Sequence, residues 1–100
     1  MTIKLVKRPP DGAELRLEGR LDSSSAPDAQ TSMTAVCDEY RSVVLNLAAL
    51  DYISSAGLRV LLSLQKKMNA SGGKLTITSV NPSVQEIFEM TGFSGILDIA

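Results

Sequence analysis

Histidine is absent from the 100 residues, and no other feature excludes as much. Without an imidazole there is no Ser-His-Asp or Cys-His nucleophilic machinery, which argues against hydrolytic enzymes in general. Cysteine occurs once, at Cys37. A single thiol cannot close an intrachain disulfide, so the chain fits a reducing, cytoplasmic compartment. One Cys and no His also remove most zinc sites, leaving mainly hard oxygen ligands. Tryptophan is absent and only two Tyr and two Phe are present, so the core must be aliphatic. Neither sign of charge dominates: 10 Lys and Arg stand against 11 Asp and Glu. The adjacent Lys66 and Lys67 read as a solvated helix edge, and nucleic-acid binding, which needs clustered cations, is not expected. No N-terminal apolar stretch approaches signal-peptide or spanning length, so no membrane contact is expected.

Apolar residues make up 44% of the chain, enough for the core of one domain spanning residues 1–100. "TIKLVK" at 2–7 puts Ile3 and Leu5 on one face of a short strand. "RPPDG" at 8–12 is a turn signal, with Pro9 and Pro10 blocking further pairing. "AELRLEGRL" at 13–21 sets Ala13, Leu15 and Leu17 against outward Glu14, Arg16 and Glu18, a half-buried strand completing a hairpin. Gly19 there marks a bulge or a close backbone approach. "DSSSAPD" at 22–28 opens a helix over about 26–39. Ser25 is its N-cap, Asp28 completes a capping-box spacing, and Pro27 stands in the first turn. Cys37 lies within this helix as a small buried hydrophobe.

"SVVLNLAAL" at 42–50 reads as a central strand buried on both faces, which implies parallel neighbours. A helix fits from Ala56 to about Asn69, with Leu58, Leu61, Leu62, Gln65 and Met68 along one stripe. Gly72 or Gly73 ends it. "KLTITSV" alternates as a strand. "NPSVQEIFEMTGF" is a third helix, capped by Asn81, with Pro82 at its first position and Gly92 after its last turn. "GILDIA" at 95–100 is an edge strand or a docked tail. The expected fold class is therefore α/β: a single mixed sheet of four to five strands with a parallel centre, covered by three to four helices.

In such a sheet, sites gather beyond the carboxyl ends of the parallel strands. Two Ser- and Asp-rich loops emerge there, "GRLDSSS" at 19–25 and "DYISSA" at 51–56. Each opens a helix, whose first turn presents unpaired N–H groups. A serine at that place can cap the helix or carry a phosphate. The spacing favours Ser54 as the cap and leaves Ser55 open between the two roles. Ala56 and Gly57 leave room around Ser55 for another protein to approach. Gly57 costs the helix roughly 1 kcal/mol against Ala, so it needs a reason such as close approach of a second backbone. "SGGKLT" at 71–76 is not a phosphate loop, because Met68 and Leu75 stand where Gly and Ser/Thr are required. Asp11, Asp22, Asp28, Asp38 and Asp51 lack calcium-loop spacing. No metal or cofactor is expected.

"Gly19-Arg20-Leu21-Asp22", a buried strand, and then "Ser54-Ser55-Ala56-Gly57-Leu58" opening a helix resemble the STAS domain of bacterial anti-sigma factor antagonists. The resemblance covers essentially the whole chain. It implies a binding protein rather than an enzyme. Its partners would be an anti-sigma factor that is a serine kinase and a metal-dependent serine phosphatase. The family motif reads Asp-Ser-(Ser/Thr)-Gly-Leu with the first Ser modified. Aligned on Gly57 and Leu58, that position is Ser55, with Ser54 in the acidic place and a second candidate acceptor. The implied partner surface takes Asp22, Ser23 and Ser24 from one loop, and Asp51, Ser54, Ala56, Gly57, Leu58 and Arg59 from the other. A monomer or weak dimer is expected. The competing readings are an unphosphorylated STAS-type scaffold or transporter-accessory subunit, and, ranked last, a small enzyme using Ser55 as nucleophile.

Overall fold

A computed structural model describes residues 1–8 and 10–100. Strands β1 (Thr2–Arg8) and β2 (Gly12–Leu21) lead into helix α1 (Ala26–Glu39). Strand β3 (Ser42–Ile53), helix α2 (Ser55–Ser71), strand β4 (Lys74–Thr78) and helix α3 (Pro82–Thr91) follow. The sheet order is β1-β2-β3-β4. The β1–β2 hairpin is antiparallel, and the β2–β3 and β3–β4 pairs are parallel. The expected mixed sheet with a parallel centre and three covering helices is thus present. Pro10 and Asp11 form the hairpin turn, and the expectation at Pro9 lies outside the described residues.

Row by row, the register builds the core. Leu15, Leu45 and Ile77 stand side by side, as do Ala13, Val43 and Leu75, and all six are buried. Met33 of α1, Leu61, Leu64 and Met68 of α2, and Val84 and Phe88 of α3 close over this face. Cys37 is buried as expected, and desolvation pushes its thiol up to about 11. Leu5 was placed inward with Ile3, but it is 45% exposed, because β1 is an edge strand and the helices do not reach over its middle.

Two expectations about β3 fail, the first because the helices cover only one face of the sheet. β3 is not buried on both faces: Val44 and Asn46 are only partly covered, and Ala48 and Ala49 are exposed. It also continues past Leu50 to Ile53. The β2–β3 register slips twice, from Arg16↔Asn46 to Glu18↔Ala49 and from Gly19↔Leu50 to Arg20↔Tyr52. Each slip gives β3 one extra residue, a bulge that re-aims the side chains beyond it. The buried positions therefore run 43, 45, 47, 50 and 53, and Asp51 and Tyr52 are both exposed. Gly19 sits at the second slip with φ +100°, a backbone state that a side chain would strain.

Glu14 was expected in solvent and is 4% exposed. On the sheet face away from the helices it accepts from Arg8, from Arg16 at 3.4 Å and from Asn46 Nδ2 at 2.9 Å. The Arg8 and Asn46 contacts hold its carboxyl down at about 2.

Helix ends follow local chemistry except at α1. Asn81 Oδ1 accepts from the Val84 N–H at 3.0 Å, with Pro82 next to it, and Gly72 and Gly92 end α2 and α3 in the left-handed conformation. The capping box expected from Ser25 and Asp28 does not form. Ser25 Oγ instead donates to the Arg20 carbonyl at 2.8 Å, turning back to the end of β2. The final segment is a docked tail: after a short 3₁₀ turn (Phe93–Gly95), the Ile77 N–H donates to the Asp98 carbonyl, and Gln65 Oε1 accepts from the Asp98 N–H.

Candidate functional site

Because β2 and β3 are parallel, the loops after Leu21 and Ile53 leave the sheet at the same end. They are tied together directly. The Ser54 N–H donates to the Leu21 carbonyl at 2.9 Å. A side chain at Gly57 would put its Cβ 2.7 Å from that same carbonyl oxygen, 2.7 Å from Ile53 Cγ1 and 2.8 Å from Leu21 Cγ. The close approach that explains Gly57 is therefore the chain's own, between the first turn of α2 and the end of β2. Gly57 and Leu58 are buried, which corrects their placement on the partner surface: they set the position of the helix start and do not present it.

The two serines have different environments. Ser54 is the N-cap of α2, half-buried, its hydroxyl accepting from the Gly57 N–H at 3.4 Å. Ser55 is the first helical residue and is exposed, and its hydroxyl has no hydrogen-bond partner among the described residues. Ala56 beside it is half-buried, and Asp51 and Arg59 are exposed. Ser55 thus presents an exposed hydroxyl beside the small Ala56 at the first turn of α2.

The first loop is organised around Asp22. Its Oδ1 accepts from the Ser24 hydroxyl at 2.7 Å, the Ser24 N–H at 3.1 Å and the Ser25 N–H at 3.2 Å. Its carbonyl accepts from the Ala26 N–H at 2.8 Å, so Asp22 does the capping expected of Ser25. These bonds, the Ser24 hydroxyl first, hold its carboxyl below the usual carboxylate range, and Arg20 adds to the effect. Asp22 is thus ionised and fixed at the rim, while Ser23 and Ser24 are exposed beside it.

Two residues escaped the sequence reading. Arg20 Nε lies 3.6 Å from Asp22 Oδ2, and its guanidinium stands 4.4 Å over the Tyr52 ring. Arg20 and Tyr52 are register partners only because of the second β3 bulge. Without the two bulges Tyr52 would face the same way but lie opposite Asp22, so no local pattern signals the pair.

A family model described as STAS domain matches residues 3–100. A Bordetella bronchiseptica protein provisionally named an anti-sigma factor antagonist, BtrV, is 41% identical over 85 residues, 84% of this chain and 73% of its own length. The anti-sigma F factor antagonist of Paenibacillus polymyxa is 31% identical over 87 residues, 85% of this chain and 74% of its own. The crystal structure of an anti-sigma factor antagonist from Mycobacterium paratuberculosis superposes with a TM-score of 0.86 at 20% identity, covering 98% of this chain and 83% of that one. This last likeness is one of fold.

Proposed function

The chain belongs to the STAS domain family, and from that premise we propose that it is an anti-sigma factor antagonist switched by phosphorylation of Ser55. Unmodified, it binds an anti-sigma factor that is itself a serine kinase, and so releases the sigma factor. Phosphorylated, it lets go, and a metal-dependent serine phosphatase restores it. The observation that carries this reading is the contrast between neighbouring hydroxyls: Ser54 is engaged in the cap and Ser55 is exposed and free. Asp22, Ser23, Ser24, Asp51, Ala56 and Arg59 supply the rim around it.

The physics suits a switch that spares the fold. A phosphate adds about −1.5 to −2 charges, and the first turn of a helix tolerates an anion. The same charge in a closed interface, beside ionised Asp22, is desolvated and repelled. The test has two parts. Incubation with the cognate kinase and ATP, followed by mass spectrometry, should place one phosphate on Ser55. The Ser55→Asp variant should lose partner binding with its melting temperature nearly unchanged. Phosphate on Ser54 would move the switch by one residue. A chain that binds its partner but is never modified would be the alternative, an unphosphorylated scaffold or transporter-accessory subunit.

A further inference from the structure

A cavity of about 280 Å³ lies between the N-terminal halves of α1 and α2. Ala26, Pro27 and Gln30 line it from α1, and Ala56, Arg59 and Val60 from α2. It is a shallow groove open to solvent, which suits a side chain laid into it from another protein better than an enclosed ligand. Its lining is mainly aliphatic, and Ala26 and Val60 are almost fully buried. Gln30 Nε2 donates to Ser63 Oγ at 3.0 Å and ties the two helices together beside it. Arg59 is the one charged residue in the lining. It is exposed and makes no ion pair among the described residues.

Arg59 also stands four residues after Ser55 on the same helix. Residues at that spacing are surface neighbours, and an acidic group placed N-terminal to the cation is the favourable order. We propose that Arg59 couples this groove to the switch. With Ser55 unmodified, the groove takes an aliphatic side chain of the anti-sigma partner and Arg59 pairs with a partner carboxylate beside it. With Ser55 phosphorylated, the phosphate takes Arg59 within the same helix, and the partner's carboxylate meets an anion where its cation had been. Phosphorylation then withdraws an attractive contact as well as adding a repulsive one. The partner half of this inference rests on the antagonist reading. The intrahelical half does not.

The intrahelical half is tested on the chain alone, prepared with phosphoserine at position 55 and titrated by ³¹P NMR. The second phosphate pKa, ordinarily about 6, should lie lower in the wild-type chain than in Arg59→Ala by about 0.3 unit or more. Equal titration in the two would overturn the capture. The partner half is tested by calorimetry with the cognate anti-sigma factor. Arg59→Glu should weaken binding about tenfold or more, while Lys66→Glu, an exposed cation two turns further along α2, should bind as wild type. If Ser55→Asp abolishes binding but Arg59→Glu does not, Arg59 has no such role and the antagonist reading stands. If the unmodified chain binds no anti-sigma factor, the partner half and the antagonist reading fall together.

Discussion

Replacing Gly57 by Ala sets two effects of known sign against each other. Helix propensity favours Ala by roughly 1 kcal/mol. Sterics oppose it, because the new Cβ would sit 2.7 Å from the Leu21 carbonyl oxygen and 2.7 Å from Ile53 Cγ1. A methylene forced into a packed site costs about 1–3 kcal/mol. Here the upper part of that range applies, because one obstacle is backbone. The Leu21 carbonyl accepts the Ser54 N–H at 2.9 Å, and Leu21 is paired with Ile53 in the sheet, so it cannot move away without breaking that bond. Subtraction leaves a net loss of about 1–2 kcal/mol. For a chain of this size each kcal/mol lowers Tm by about 4–8 °C. Urea denaturation followed by circular dichroism should show a lower midpoint with unchanged slope. Gly95→Ala is the control, since a Cβ there meets nothing within 4 Å, and it should be neutral or slightly stabilising. A Gly57→Ala variant as stable as wild type would refute the intramolecular explanation and return Gly57 to the partner surface.

Three further outcomes are expected. Because the carboxyl of Glu14 is held at about 2, below its ordinary 4.5, its contribution is present above pH 4.5 and is lost as the pH falls towards 2. A shift of that size corresponds to at most about 3 kcal/mol, and screening around the half-exposed Arg8 and Arg16 reduces it to about 1 kcal/mol. Denaturation midpoints of Glu14→Gln should therefore fall below wild type at pH 7 and converge with it near pH 2; parallel curves would contradict the pairing. Ser79 holds φ 58°, a left-handed conformation costing about 1 kcal/mol, so Ser79→Gly should raise Tm in calorimetry, and a fall would show that its side chain matters more than its backbone. Ser54→Ala should destabilise by about 0.5–1 kcal/mol, the low end for a cap because its contact is long at 3.4 Å. Ser55→Ala should be neutral, and equal losses in the two would undo the distinction between cap and switch.

Features with local causes were legible in the sequence. Helix α3 starts at Asn81 and Pro82 because the amide caps and the ring pre-sets φ, and Gly72 and Gly92 end α2 and α3 because glycine takes the left-handed conformation. Strand alternation identified Ala13, Leu15 and Leu17 as inward, and the order of elements implied a parallel centre. The spacing favoured Ser54 as the cap but left Ser55 open, and only the structure, which starts α2 at Ser55, put its hydroxyl outside the cap. What the sequence left undetermined depends on which backbone lies alongside. The β3 bulges arise from the match between two strands, so the spacing of Leu47, Leu50 and Ile53 and the meeting of Arg20 with Tyr52 could not be read from either strand alone. Glu14 is covered only because Arg8, Arg16 and Asn46 converge from three strands. Gly57 showed a need for space, but only the tertiary structure decided that the neighbour is Leu21 of the same chain, because a glycine records that something comes close and carries no mark of what it is.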